Sequence, residues 1–193
     1  MPGPAVLVLL LLALVRPPAQ AEPHPWVPVP GKSQVSFDAT FPLGDFTGRT
    51  EALEGEFRAD IADLGKGVTG FLRFSPATLR TGIEGRDRDM REALQVDRHP
   101  EVRFTAQAVQ SSFPSVAEGA DVILTIRGLM LIRGVERPTS FSARARLRGD
   151  RVWVRGESTL RMSDFGITPP TRLFLAVKDE VAVRFDLLLA RSE

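Results

Sequence analysis

The sequence contains no cysteine and only two histidines, His24 and His99. Without cysteine the chain forms no disulfide bonds and has no thiolate ligands or nucleophiles, so its stability depends on a packed core. A zinc site needs three or four ligands, and a hydrolase triad needs a base beside its nucleophile. Two histidines that each adjoin proline provide neither arrangement. We therefore predict that the protein is not an enzyme and holds no metal or cofactor.

An excess of charge of one sign is also absent, because 25 Lys and Arg residues face 24 Asp and Glu residues. Proteins that bind nucleic acids carry a basic surplus. We therefore predict no nucleic-acid partner. The fractions of hydrophobic residues, 43%, and of charged residues, 25%, are those of an ordinary globular chain. The sequence indicates one domain and leaves open a homodimer.

Long apolar runs are absent except for residues 5–15, which are too few to cross a bilayer as a helix of about 20 residues. Alanines at positions 19 and 21 follow this run with the spacing that signal peptidase accepts. We predict that residues 1–21 are a signal peptide cleaved after Ala21. The mature protein is then periplasmic or secreted, with no stable membrane insertion.

Prolines are concentrated in residues 22–31, which contain four of them. Proline lacks the N–H that a strand ladder requires and favours an extended polyproline II conformation. We therefore predict that residues 22–31 are a leader into a single domain at residues 32–190.

Alternation of apolar and polar residues dominates the rest of the chain, as in strands with one buried face. Such half-buried strands pair antiparallel. A Gly149-Asp150 pair between two of these stretches predicts a hairpin. About eight strands suit a barrel or a sandwich, and we favour a closed barrel because closure removes exposed strand edges. The alternating stretches are residues 35–41, 53–61, 68–74, 102–108, 122–128, 139–147, 152–158 and 181–189.

Residues 84–95 break this period, because Met90, Ala93 and Leu94 have the spacing of one helix face among charged residues. We predict a short amphipathic helix over one end of the barrel, with Met90 and Leu94 closing its mouth. The charges of residues 86–89 could grip a phosphate head group, but acidic residues in a first helical turn also stabilise the helix dipole, and we favour this structural role.

The predicted inward face carries many small residues, which have two interpretations. They leave room for a ligand inside an eight-stranded barrel, or they let the strands coil tightly while phenylalanines fill the interior. The sequence pattern alone favours neither. The small residues are Gly55, Ala59, Gly70, Ala106, Ala108, Gly128, Ala143, Ala145 and Gly156.

Several short motifs resemble those of the YceI-like family in order and spacing, and together they span residues 33–190. Four departures from the family pattern are present. His99 stands where the family commonly has tyrosine, Glu136 where it has threonine, and Met162 where it has arginine. At the first strand, Pro30-Gly31-Lys32-Ser33 stands where the family has the pattern D-x-x-H-S. The matching segments are Thr81-Gly82, Arg86-Asp87, Leu94, His99-Pro100-Glu101-Val102-Arg103-Phe104, Gly128-Leu129, Arg133-Gly134-Val135-Glu136-Arg137-Pro138, Ser163-Asp164-Phe165-Gly166-Ile167 and Asp179-Glu180-Val181.

This resemblance implies an all-β, lipocalin-like antiparallel barrel of about eight strands with one short inserted helix. It also implies an exported bacterial protein that holds a polyisoprenoid or a similar long-chain amphiphile inside the barrel, as a carrier or reservoir. No catalytic residues accompany the resemblance. The alternative function is a ligand-free envelope interaction or stress-response module with a filled barrel.

Candidate binding residues follow from the apolar face of each strand. For the interior lining we predict Phe37, Phe57, Phe74, Phe104, Ile126, Phe141, Val154 and Phe185. For the mouth and the ligand's head group we predict Arg86, Met90, Leu94 and Arg161.

Overall fold

The computed structural model describes residues 23–172 and 175–192. The predicted signal peptide lies outside the described residues. The strands are β1 His24–Pro28, β2 Gln34–Ala39, β3 Phe46–Thr50, β4 Glu54–Ala59, β5 Val68–Phe74, β6 Val102–Ser111, β7 Val122–Ile132, β8 Val135–Arg148, β9 Arg151–Arg161, β10 Thr171–Arg172, β11 Leu175–Ala176 and β12 Glu180–Arg191. One α-helix, α1 Glu84–Leu94, and three 3₁₀ helices, Leu64–Lys66, Pro76–Thr78 and Met162–Phe165, complete the described elements.

The antiparallel sheet closes on itself through β12. Strands β4, β5, β6, β7, β8 and β9 are neighbours in sequence order, and β12 pairs with β9. The other edge of β12 pairs with β2 along one part of its length and with β1 along the rest. In turn β2 pairs with β3, and β1 pairs with β4. Strands β1 and β2 thus share one position in the ring, and β3 and β4 share the next. The prediction of an eight-stranded, lipocalin-like antiparallel barrel with one helix is confirmed.

The wall beside β3 is completed by the segment that follows β5. Arg49 of β3 and Arg80 exchange two backbone hydrogen bonds, both of 3.0 Å. The hydroxyls of Thr50 and Thr78 lie 2.7 Å apart and join the same two segments. The segment that makes these contacts leads directly into α1. Its contacts with β3 therefore hold the helix over the adjoining end of the barrel. No helix among the described residues has the length and apolar character needed to cross a membrane.

The proline-rich segment is not a separate leader, since β1 lies within it and the predicted domain start at residue 32 is wrong. Trp26 pairs with Phe57 of β4 and with Arg191 of β12, and its side chain is 4% exposed. Proline loses the N–H donor but keeps its carbonyl acceptor. Pro25 uses that carbonyl to accept a hydrogen bond of 3.0 Å from the Ser192 N–H.

A β-bulge in β6 changes which side chains face inward. The β6–β7 register shifts between Ala106 and Ala108. An extra residue in one strand reverses the alternation beyond it. Ala106 is therefore buried as predicted, whereas Ala108 is exposed and Val109 contributes to the interior. The predicted inward orientation of Ala108 is wrong for this reason.

Two clusters of buried side chains fill the two ends of the barrel. One cluster includes Trp26, Leu64 and Val116, so that a 3₁₀ helix and a loop cover this end. The other cluster joins Phe165 and Ile167 to the α1 face that carries Leu94. We call the end of the barrel that contains the Trp26 cluster the closed end, and the end that contains the Phe165 cluster the helix end.

Candidate ligand-binding cavity

A cavity of about 390 Å³ occupies the barrel interior. Its lining is almost entirely apolar and includes residues of both buried clusters, from Trp26 and Leu64 at the closed end to Leu94 and Phe165 at the helix end. Binding pockets for small molecules occupy about 300–1,000 Å³ and are mostly apolar. The interior thus has the size and chemistry of a site for an apolar ligand.

Three phenylalanines pack against one another in the barrel interior. The ring centroid of Phe141 lies 5.1 Å from that of Phe104 and 5.4 Å from that of Phe185. Phe141 itself is 2% exposed. Edge-to-face and tilted ring pairs at such distances stabilise beyond their buried area. The aromatic cluster therefore shapes part of the cavity wall.

Glycines of the inward face make room for these rings. A Cβ added to Gly156 would lie 2.7 Å from Cε1 of Phe185, and one added to Gly128 would lie 2.8 Å from Cζ of Phe104. Real Cβ atoms do not approach so closely. Glycine at these two positions therefore leaves room for phenylalanine rings, which is one of the two interpretations of the small inward residues. A cavity, which is the other interpretation, lies beside the rings.

The cavity reaches the surface at the helix end, where the half-buried Arg86 and the exposed Asp89 of α1 and the exposed Thr171 of β10 belong to its lining. The Arg86 guanidinium lies over the Phe46 ring, 4.3 Å from its centroid. That ring packs edge-on against Phe37 with centroids 6.3 Å apart. A guanidinium over an aromatic face is held by the ring quadrupole. This contact places a cation at the rim of an apolar cavity.

Asp87 anchors the start of α1. Its carboxylate is 4% exposed and accepts hydrogen bonds from the N–H of Thr81 at 2.7 Å and from the Thr81 hydroxyl at 2.6 Å. Burial acts to raise the pKa of the Asp87 carboxyl, but these hydrogen bonds and the charges of Arg80 and Arg91 outweigh burial and lower it. Asp87 is thus an ionised structural residue.

The 3₁₀ helix Met162–Phe165 covers the helix end and is held in place by hydrogen bonds on two sides. Asp179 accepts hydrogen bonds from the Ser163 N–H at 2.8 Å and from the Ser163 hydroxyl at 2.5 Å. These bonds lower the pKa of the Asp179 carboxyl. On the other side Arg137 donates to the Asp164 carbonyl at 3.0 Å, and Arg133 donates to the carbonyl of Gly166. Phe165 is thereby held against the cavity.

A family model described as the YceI-like domain matches residues 26–189. The chain belongs to the YceI-like family. No curated protein sequence matches the chain significantly.

Solved structures share the fold of this YceI-like barrel. The chain is similar to Burkholderia cenocepacia BcnA, with a TM-score of 0.69 and 16% identity over 84% of this chain and 99% of that one. It is similar to a polyisoprenoid binding domain from Saccharophagus degradans, with a TM-score of 0.67 and 16% identity over 86% and 98%. It is also similar to the Campylobacter jejuni YceI protein, with a TM-score of 0.63 and 14% identity over 76% and 85%.

The YceI-like motifs have structural roles in this barrel. Thr81 and Asp87 hold α1, while Ser163 and Asp179 hold the 3₁₀ helix over the cavity. The His99 ring lies against Gly134, where an added Cβ would be 2.8 Å from Cε1 of the imidazole. Among the described residues, no group of three or more His, Asp and Glu side chains could hold a metal ion.

The YceI-like cavity is lined by all eight side chains predicted for the interior. Arg86, Met90, Leu94 and Arg161, predicted for the mouth, also belong to its lining. Arg161 is exposed and forms an ion pair with Glu180 at 3.4 Å. Contact between these residues and a ligand stays a prediction.

Sequence reasoning missed other lining residues, among them Trp26, Phe46 and Phe165. Phe165 lies in a turn, where no strand alternation marks an inward residue. Trp26 stands in the proline-rich segment, and Phe46 begins a short strand that went unpredicted. A large aromatic residue in each of these polar or proline-rich stretches is the signal that could have identified them.

Proposed function

We propose that this YceI-like protein is an exported carrier or reservoir that holds a polyisoprenoid or a similar long-chain amphiphile inside its barrel. The single observation that carries the proposal is the apolar cavity of about 390 Å³ that extends from the closed end to exposed side chains at the helix end. A cavity of this form accepts an apolar tail and leaves a polar head near the surface.

Burial of the tail supplies the binding energy. Each carbon moved from water into an apolar site contributes about 0.8 kcal/mol. Association costs about 4–15 kcal/mol in lost freedom of motion. A chain of a few five-carbon units therefore binds favourably without any strong polar contact. The name of the Saccharophagus degradans domain, which specifies a polyisoprenoid, supports this class of ligand.

A second function, a ligand-free interaction module of the envelope, is favoured by one observation. The Phe104, Phe141 and Phe185 rings pack together in the interior. In a barrel whose interior is already filled, the outer surface would dock a partner and the lining would serve only stability.

Native mass spectrometry with organic extraction distinguishes the two functions. The mature protein is purified from a bacterial periplasm, and its mass is measured before and after extraction. A lipid mass of prenyl or acyl type, bound in a one-to-one ratio and recovered in the extract, is the expected result. An empty, folded protein that also takes up no added prenyl alcohol would contradict the carrier function and favour the interaction module.

A further inference from the structure

Strands β8 and β9 part before they end. Their pairing runs from Arg148 and Arg151 at the hairpin only as far as Ser142 and Glu157. Beyond that point β8 continues along β7, and β9 continues along β12. The barrel wall between β8 and β9 therefore opens toward the helix end.

This opening is a cleft of about 490 Å³. One rim is formed by residues 137–140 of β8 and the other by residues 158–161 of β9. Thr139 and Ser158 occupy inward positions, in the same alternation as Phe141 and Leu160. Most other inward positions of the barrel are apolar, so these two hydroxyls make the wall locally polar at the gap.

The cleft adjoins the interior cavity. Leu160, Arg161 and Phe165 line both of them. Phe165 is 3% exposed and sits on the 3₁₀ helix that Arg137 holds through the Asp164 carbonyl. A ligand with an apolar tail in the cavity and a polar group in the cleft would thus pass beside one aromatic ring.

The charges of the cleft balance. Arg137 and Arg161 are accompanied by Asp164 and Glu180, and Arg161 is paired with Glu180 at 3.4 Å. An anionic group is favoured where cations exceed carboxylates, which is not the case here. Hydroxyls, guanidiniums and carboxylates together offer both donors and acceptors, which matches the hydroxyls of an uncharged sugar.

We propose that the β8–β9 cleft binds the uncharged, hydroxyl-rich head group of an amphiphile whose tail occupies the cavity. This inference rests on the proposed function and adds the chemical class of the ligand, a long-chain glycoside. The head group leaves the barrel through its side wall, beside Phe165, and not past Arg86 at the rim of α1.

Photo-crosslinking locates the head group. The probe is dodecyl maltoside with a diazirine on its terminal sugar, added to the mature protein below its micelle concentration. Trypsin cleaves after Arg155 and Arg161, so the β9 rim is released as the peptide Gly156–Arg161. Crosslinks on this peptide are expected. Crosslinks confined to α1 peptides would overturn the inference.

Affinity measurements test the chemistry of the cleft. Calorimetric Kd values are compared for dodecyl maltoside and dodecyl phosphate, and maltoside is expected to bind more tightly. The variants T139V and S158A should each weaken maltoside binding about five-fold, the equivalent of about 1 kcal/mol for a hydrogen bond, with dodecyl phosphate little affected. The control S142A alters an exposed hydroxyl on the paired part of β8 and should bind like the wild type.

The outcomes separate this inference from the proposed function. Equal affinity for both amphiphiles, unchanged in folded T139V and S158A, would overturn the head-group site and leave the lipid carrier in place. Failure of folded wild-type protein to bind either amphiphile would overturn both. Folding of each variant is checked by circular dichroism and thermal unfolding.

Discussion

At the scale of single residues, the hydrogen-bonded carboxylates control how the covers of the barrel respond to pH. Asp87 and Asp179 each accept a backbone N–H and a hydroxyl, and the pKa of each carboxyl is lowered in the folded protein. A carboxyl with a lowered folded pKa stabilises the fold above its unfolded pKa of about 3.9. That contribution is lost as the pH falls through the folded pKa.

We therefore expect the substitution Asp87→Asn to flatten the pH dependence of thermal unfolding below about pH 4. At neutral pH it should lower the free energy of unfolding by about 1.5–3 kcal/mol, the usual contribution of hydrogen bonds to a charged group. Calorimetric scans between pH 2 and pH 7, roughly the range in which carboxyls titrate, give both quantities.

The matched control is Asp89→Asn. Asp89 lies on the same helix, but its carboxylate is 55% exposed and only approaches Arg88 at 3.8 Å. This variant should have the stability of the wild type at neutral pH, because the exposed carboxylate makes no hydrogen bond that the substitution removes. An Asp87→Asn protein with the wild-type pH profile would show that the Thr81 contacts do not stabilise α1.

At the scale of elements, the bulge in β6 places two nearby alanines on opposite faces of the barrel wall, which provides a test variant and its control. Ala106 faces the cavity and Ala108, two residues along, faces solvent because of the bulge. We expect the substitution Ala106→Trp to block uptake of a prenyl alcohol, since the indole occupies the space that the tail needs. Overpacking of this kind costs about 1–3 kcal/mol of stability.

The variant Ala108→Trp should bind prenyl alcohol like the wild type, because its indole lies outside the barrel. Binding is measured by native mass spectrometry on samples shown to be folded. Full binding by folded Ala106→Trp protein would argue against a ligand inside the barrel.

Elements whose partners are distant in sequence were the ones that sequence reasoning missed. The prolines of β1 predict a leader, because they obscure a strand that exists only through pairing with β4 and β12. Strand β3, Phe46–Thr50, holds one large apolar residue and so shows little alternation. The bulge at Ala106 and the parting of β8 and β9 are features of register, which no local pattern specifies.

At the scale of the whole molecule, the closed antiparallel barrel and its helix could be predicted, because each long strand keeps one apolar face. The same alternation placed eight predicted side chains on the cavity. The covers of the barrel ends could not be predicted in this way. Leu64, Val116 and Phe165 come from short helices and loops, and their positions depend on tertiary contacts.

Closure of the barrel by β1 leads to a further prediction. Trp26 is 4% exposed, donates its indole N–H to the Ala59 carbonyl at 3.3 Å and lines the cavity. The substitution Trp26→Ala should lower the free energy of unfolding by about 3–5 kcal/mol, as is usual for a buried aromatic residue. Urea titration provides the measurement.

Trp153→Ala is the control, because this second tryptophan lies outside the cavity lining with the Arg155 guanidinium over its ring at 4.8 Å. Its loss should cost much less. A loss from Trp26→Ala no larger than that from Trp153→Ala would mean that the Trp26 side chain adds little to closure of the barrel.

Strand β12 holds three ladders at once, with β9 on one edge and with β1 and β2 on the other. Until this strand has been synthesised, the sheet cannot close into a barrel, and β1, β2 and β9 each have an unpaired edge. Pairing between such distant parts of a chain is slow, because a long loop must be ordered before any contact compensates for it. Closure of the barrel therefore waits for β12, the last of the described strands to be synthesised.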